Sequence, residues 1–398
     1  MADRHHEARR RVALYSHDTV GLGHLRRNLA LATSLRRDSD VDVLLISGSR
    51  EAVSFPVPEG VDFLTLPALA KRDGAYGART LTMGLDDLVR LRSATIAAAL
   101  SSFDPHVLIV DKVARGACGE LDTALAQLRE SGRTSCVLGL RDVLDDRSTT
   151  REEWDATGTL EAIADFYDAV WVYGDRTVFD LPDEYGLPSE LAERTTFTGY
   201  LGHGRPRIPV VLDPSVTATP YALCLVGGGQ DGVALTEAFV AERLPGGLRA
   251  VVVTGPYMEP AHRRRIAGLV GDRADVTLIG FIADCQQLID RAAAVVSMGG
   301  YNTVCESLVA GKRPLIVPRV VPRVEQLIRA RRLFEVGAVD LLHPAALDPG
   351  VLSGWLEATG SRSASVPVDL DGIARVPALV ERLVDGVRPK RELCHDAA

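Results

Sequence analysis

The chain reads as α/β, with two parallel-sheet units in series. Three observations lead there. Short β-branched apolar runs alternate with helical patterns along the whole length. The runs are continuous rather than alternating, as in strands buried on both faces of a parallel sheet. The alternation breaks once, at 202–220, "GHGRPRIPVVLDPSVTATP", where four prolines interrupt any helical pattern and mark a linker.

Before the linker, strands are expected at "RVALYS" (11–16), "DVLLIS" (42–47), "HVLIVD" (106–111), "SCVLGL" (135–140) and "AVWVYG" (169–174). After it they are expected at "YALCLV" (221–226), "RAVVVTG" (249–255), "DVTLIG" (275–280), "AAVVSM" (293–298) and "RPLIVP" (313–318). On each side a strand ends in a glycine turn, at Gly21–Gly23 and at Gly227–Gly229, and a helix follows. The reading is one Rossmann-like domain followed by another, facing across a cleft. The boundaries are 1–202, a linker at 203–219, a second domain at 220–369, and 370–398 as a closing helix on the first domain plus a tail. The segment "LAKRDGAYGARTLTMG" (69–84) is glycine-containing and basic; it reads as a mobile ligand-facing loop, and nearly as well as a surface loop without function.

Composition fits a folded protein of two or three domains: 398 residues, 46% hydrophobic and 25% charged. A net charge of −8 argues against a nucleic-acid partner, which needs a clustered basic face. The six cysteines form no CxxC pair, so neither a zinc site nor a disulfide framework is expected. Neither a signal peptide nor a membrane span is recognisable, and a cytoplasmic location is expected. The basic segment before the first strand leaves room for peripheral contact with an anionic membrane surface.

Chemistry concentrates at three glycine elbows. The first, "GLGHLRRNLALA", sets Gly23, His24, Arg26 and Arg27 at a helix start. An imidazole titrates near neutral pH and suits proton abstraction, and a helix N-terminus favours its neutral form. Arg26 or Arg27 can neutralise a phosphate, although arginines on a wet helix face read the same way. Asp111 ends a strand, where α/β sheets place site residues, and can orient His24 or an acceptor; a solvated strand-end aspartate reads equally well.

The second elbow, "LVGGGQDG", places Gly228, Gly229 and Gln230 before a helix, which reads as a phosphate cradle and also as a tight strand-to-helix turn with no ligand. Asp231 in the same turn would repel a phosphate unless it points away or caps the helix. The third, "MGGYNTVCESLVAG", carries Gly300, then Asn302 or Thr303 as a helix cap, then Glu306, which can hold a ribose diol. Further on, Glu325 and Gln326 begin another helix; such a pair suits sugar hydroxyls, and a solvated helix end equally.

In this order the pieces resemble the donor half of a GT-B glycosyltransferase. They are most similar to the lipid II-forming N-acetylglucosaminyltransferases, family 28-like. The likeness is strong over 220–335 and weaker before it. It rests on "GGGQ" (227–230), "GFIADCQQLI" (280–289), "MGGYNTVCESLVAG" (298–311), "PLIVP" and Glu325–Gln326. It implies that Phe281 covers a uracil and that Ile282 reads the base edge through its backbone. Gly228, Gly229 and Thr303 would lie near the diphosphate, Glu306 on the ribose, and Glu325 and Gln326 on the sugar. His24 would be the base.

The family often has serine at Gly229, glycine at Asp231, arginine at Met298, and Gln–Gln where Glu325–Gln326 stands. The implied activity is inverting, metal-independent transfer of a sugar, such as N-acetylglucosamine, from a UDP-sugar to an acceptor hydroxyl. UDP-sugar is a co-substrate, so no cofactor is expected. The acceptor would be a small molecule or lipid-linked. The two DxD matches, Asp40/Asp42 and Asp369/Asp371, read as turns and caps rather than metal ligands.

Three alternatives remain open. "GxGHxxR" (Gly21, Gly23, His24, Arg27) also resembles the UDP-sugar hydrolases of nonulosonic-acid synthesis. The non-hydrolysing UDP-sugar 2-epimerases share the architecture, without a match to their acid and base positions. A non-catalytic nucleotide-sugar-binding protein would leave His24 inert.

Overall fold

The computed structural model describes residues 9–17, 23–38, 40–50, 52, 55–72, 75–359 and 368–386. Gly21, Cys394 and the tail from 387 lie outside them.

The first sheet holds β1 (Arg10–Ser16), β2 (Val41–Ser47), β3 (Val61–Thr65), β6 (Val107–Asp111), β7 (Ser135–Arg141), β8 (Ala169–Tyr173) and β9 (Thr195–Phe197). Between β3 and β6 stands a separate hairpin of β4 (Leu69–Arg72) and β5 (Ala75–Ala78). The second sheet holds β10 (Tyr221–Leu225), β11 (Arg249–Val253), β12 (Val276–Ile279), β13 (Ala294–Ser297), β14 (Leu315–Ile316) and β15 (Asp340–Leu341).

The spatial orders are β3-β2-β1-β6-β7-β8-β9 and β12-β11-β10-β13-β14-β15. All pairings within both sheets are parallel. Each sheet starts in its middle, grows to one side, then reverses. This is the doubly wound order of nucleotide-binding folds, with ligand crevices where the order reverses. Those points lie between β1 and β6, and between β10 and β13.

Burial explains the strands. Every residue of β6 (VLIVD) and of β10 (YALCL) is buried, as central strands covered on both faces must be. The helix Gly23–Asp38 follows β1 and buries Leu25, Leu29, Ala32 and Leu35, one stripe at helical spacing. Its last turn carries Arg36 and Arg37, opposite in sign to the helix dipole there.

The helix Gly372–Gly386 lies against the first domain. Ser34 Oγ donates to the Ile373 carbonyl at 3.0 Å, and Ile373, Val376, Leu379 and Val380 join the core beneath β1. The basic loop expected at 69–84 is instead mostly the β4–β5 hairpin, which runs into the helix Leu85–Phe103. Its strands pair at residues such as Leu69 and Ala78, and Leu69 is fully buried against Leu88 and Ala117.

The two sheets are joined by more than the linker. Arg329, from the second domain, donates to Asp142 of the first through Nε at 2.8 Å and Nη2 at 2.7 Å, with both side chains 1% exposed. The amide of Leu201 donates to the hydroxyl of Tyr301 at 3.0 Å. No described helix is long and apolar enough to cross a membrane.

Candidate active site

One cavity of about 290 Å³ is lined from both domains, and Leu225 at the end of β10, Val253 at the end of β11 and Arg141 at the end of β7 are among its walls. Gly23 and His24 enter it from the first domain, and Gly228, Gly300 and Thr303 from the second. Two helices begin there. Helix Gly23–Asp38 starts at the wall, and so does helix Tyr301–Val309, whose N-cap Gly300 makes no side-chain cap bond. First-turn N–H groups lack intrahelical partners and carry partial positive charge, so paired helix starts suit an anion such as a diphosphate. Asn302 ties the two starts together, donating from Nδ2 to the Gly23 carbonyl at 3.3 Å.

Behind this wall, β6 ends in Asp111, which is 0% exposed. Its Oδ2 lies 2.6 Å from His24 Nδ1, and Arg27 donates to both its oxygens, at 2.8 and 2.7 Å through Nη2. Burial by itself raises the carboxyl's pKa. The Arg27 charge, His24 and their hydrogen bonds outweigh it and hold Asp111 well below the usual carboxylate range. An ionised carboxylate only accepts, so Nδ1 carries the proton and the imidazole lone pair lies on Nε2. Arg27 also stands 3.0 Å from Nδ1, a contact that this tautomer makes a close approach rather than a hydrogen bond.

His17 packs beside this pair, its ring centroid 5.1 Å from that of His24. Burial, then the charges of His24 and Lys112, push its pKa well below the ordinary histidine value. His17 is therefore neutral near pH 7.

The arginines differ from expectation. Arg27 is 2% exposed and turned inward onto Asp111, its guanidinium 5.9 and 5.8 Å from the ring centres of Tyr173 and Tyr301. Arg26 donates to Glu306 Oε1 at 2.8 Å, and Arg205 from the linker reaches the same oxygen at 3.2 Å. Both expected phosphate cations thus have protein carboxylates. The cause is burial: a guanidinium leaving water needs an anion or a full set of acceptors. Glu306 lines the cavity while 2% exposed, and both arginine bonds fall on Oε1. Arg26 and Glu306 also line a second cavity, of about 410 Å³, bounded by the linker.

Of the other residues expected to bind the donor, Phe281 and Ile282 line the first cavity, and Phe281 is 51% exposed, an uncovered aromatic face. Gly229 and Gln230 are not among its lining residues. Gly229 is buried at the base of its turn with φ +91°, and a Cβ there would stand 2.1 Å from the Thr254 carbonyl oxygen. That contact explains glycine where the family often has serine.

Glu325 and Gln326 also lie outside that lining. Arg319 holds both, its Nη2 donating to Glu325 at 2.5 Å and its amide to Gln326 Oε1 at 2.9 Å. Arg319 also donates to Asp231 at 2.9 Å, which neutralises the carboxylate that looked misplaced in a phosphate turn. Neither DxD segment lines the cavity: Asp40 and Asp42 pair with Arg9, Asp369 with Arg375 and Asp371 with His203.

Arg141, Tyr257 and Cys285 line the cavity without having been singled out from sequence, and Asn302, expected as a helix cap, lines it from inside the helix that Gly300 caps. Arg141 is the last residue of β7, so the strand-end rule that pointed to Asp111 also points to it.

Residues 222–353 match the profile of the glycosyltransferase family 28 C-terminal domain. A UDP-N-acetylglucosamine–N-acetylmuramyl-(pentapeptide) pyrophosphoryl-undecaprenol N-acetylglucosamine transferase of Phenylobacterium zucineum is 26% identical over 219 residues. That alignment covers 50% of this chain and 59% of the relative. Among solved structures, MurG of Acinetobacter baumannii superposes with a TM-score of 0.54 at 14% identity, covering 94% of this chain and 98% of that one. A putative UDP-N-acetylglucosamine 2-epimerase of Listeria monocytogenes superposes with 0.64 at 12% identity, covering 96% and 99%. At such identities the two structures speak for the fold alone. That fold is GT-B, two Rossmann-like domains across a cleft.

Proposed function

Starting from a chain whose residues 222–353 are a glycosyltransferase family 28 C-terminal domain on a GT-B frame, we propose that it transfers a sugar from a UDP-sugar to an acceptor hydroxyl. The observation that carries this is the His24–Asp111 pair standing beside two helix N-termini on one cavity. A base and an anion cradle on one cavity are what displacement of a nucleoside diphosphate requires.

In this reading UDP lies on the second domain. Phe281 stacks on the base, the Glu306 carboxylate accepts from the ribose diol, and the diphosphate meets the N–H groups at Gly300–Thr303. His24 Nε2 takes the proton as the acceptor oxygen attacks the anomeric carbon. The C–O bond to the diphosphate breaks, and UDP leaves with the electron pair. Attack opposite the leaving group inverts the anomeric centre. Asp111 keeps Nδ1 protonated and stabilises the imidazolium that forms. The leaving charge is met by helix N–H groups, so the step is written without a metal. Glu325 and Gln326, released from Arg319, contact the sugar hydroxyls. The family 28 match and the activity that the Phenylobacterium zucineum relative is named for support N-acetylglucosamine as the first sugar to try, and a lipid-linked hydroxyl as the first acceptor class.

The test is a panel of UDP-, GDP- and dTDP-sugars incubated with the protein without acceptor and followed by mass spectrometry. Saturable binding of a UDP-sugar with only slow leakage to water is the expected result. Rapid multiple turnover to free sugar and UDP would replace the transferase with a hydrolase.

A further inference from the structure

The C-terminal ends of β6 and β7 carry two cations that the mechanism above does not use. Lys112 follows Asp111 directly, and its amide donates to the Gly139 carbonyl of β7 at 2.8 Å. It has φ +71°, a conformation a lysine seldom adopts, which turns the chain sharply at the strand end. Arg141 ends β7 two residues after Gly139 and lines the cavity that His24 enters, while Lys112 lies outside that lining. Neither side chain has a hydrogen bond or ion pair with any described residue, and Arg141 Nε is buried without a partner.

This contrasts with the cations around them. Arg27 has Asp111, Arg329 has Asp142, Arg323 has Asp145 and Glu153, and Arg319 has Asp231 and Glu325. The neighbouring carboxylates are each already bonded to another arginine, although the buried Glu325 Oε2 has no hydrogen bond and Glu325 draws the pKa of both Lys112 and Arg141 back up. Burial, then the charge of Arg141, pushes Lys112 down to about 8. Burial, then Arg329 and Arg27, pushes Arg141 down to about 10. Two half-buried cations that repel each other destabilise the free protein, and an incoming anion would relieve both.

We propose that Lys112 and Arg141 form an oxyanion subsite that binds a phosphate or carboxylate group of the acceptor. The subsite lies on the first domain beside the His24 base, while the nucleotide cradle is built from the second domain. An acceptor anchored there by its anionic group presents a neighbouring hydroxyl to Nε2. This deepens the transferase reading and rests on it for the word acceptor; the anion subsite itself does not.

The probe is inorganic phosphate, titrated into protein saturated with UDP and followed by phosphorus NMR. UDP affinity is measured separately by calorimetry for wild type, Lys112→Gln, Arg141→Gln and Arg141→Lys. The expected result is phosphate binding that persists under saturating UDP. It falls roughly tenfold or more in each Gln variant, as loss of a charge-assisted contact requires, and is largely kept in Arg141→Lys. UDP affinity stays within about twofold throughout. Phosphate displaced by UDP, or UDP affinity lost in Arg141→Gln, would assign these cations to the donor diphosphate and overturn the proposal. Displacement by UDP-glucuronate but not by UDP would place the anion on the donor sugar instead, and would overturn it too. Equal phosphate binding in all four proteins would mean no subsite. Absence of UDP binding with variant-sensitive phosphate binding would sink the donor reading and leave the anion subsite standing.

Discussion

The imidazole of His24 and the carboxylate of Asp111 meet at 2.6 Å, Nδ1 to Oδ2, across 87 positions of chain. The first lies at the start of a helix and the second at the end of β6. They meet because β1 and β6 are neighbours at the reversal of strand order. His24 lines the cavity, and Asp111 at its Nδ1 gives the imidazolium a fixed counter-charge.

Asp111→Asn keeps the shape and removes that counter-charge. The amide can also turn its oxygen or its nitrogen toward Nδ1, so the tautomer is no longer dictated. We expect kcat to fall about 10²-fold or more, with KM for the donor changed little. Steady-state kinetics well below the unfolding temperature checks this. A matching loss in KM alone would make Asp111 a binding group.

Glu306 separates two accounts of the same carboxylate. If it holds the ribose, Glu306→Ala lowers UDP affinity, by roughly tenfold for a lost charge-assisted contact. If it only neutralises Arg26 and Arg205, its removal frees two cations and UDP binds more tightly. Calorimetric titration with UDP distinguishes the signs, and weaker binding is expected.

The Arg329–Asp142 pair joins the two domains from a fully buried position. Arg329→Met leaves Asp142 with the Tyr200 hydroxyl, at 3.0 Å, as its side-chain donor among the described residues. Breaking one side of a buried pair costs about 3–5 kcal/mol. Denaturant unfolding should show that loss, or a separate early transition as the domains uncouple. A change under about 1 kcal/mol would mean that the pair contributes little beyond an exposed one.

Stability should fall in acid through Asp111. Its folded pKa is depressed, chiefly by Arg27 acting against burial. Unfolded, an aspartate titrates near about 4, so the stabilisation is complete above that pH and is lost as pH falls below it. Asp111→Asn removes this contribution. Its stability should therefore depend less steeply on pH below about 4 than that of the wild type, as thermal melts across pH 2–6 would show. Parallel curves would contradict the assignment.

Much of the fold is legible because buried parallel strands are written as unbroken apolar runs. The ten runs quoted from the sequence all lie on strands, to within a few residues at the ends. The five remaining strands, β3, β4, β5, β9 and β15, are short or lie at sheet edges or in the hairpin; β3, "VDFLT", is an edge strand with only Val61 buried. The hairpin at 69–78 read as a loop because its glycine and charges resemble one, while its anchor, Leu69, meets partners distant in sequence. His24 and Asp111 were both marked by local rules, a helix start and a strand end.

What sequence could not assign were the partnerships. Arg26 and Arg27 are adjacent cations on one turn, yet they serve different carboxylates, Glu306 and Asp111. Nothing local encodes that choice, which depends on which domain each side chain faces. Glu325 and Gln326 sit as a pair, but Arg319, a loop residue six positions earlier, engages both. Arg141 was overlooked although its strand-end position carries the same signal as that of Asp111.

The central claim is that His24 is the base of a UDP-sugar transferase. The most direct measurement compares His24→Ala with wild type, in turnover and in UDP affinity, using the donor found by mass spectrometry. The account predicts turnover lower by about 10²–10⁴ with UDP affinity nearly unchanged. Unchanged turnover would leave a binding protein, and an equal loss in both would make His24 a ligand of the diphosphate; either result would contradict it.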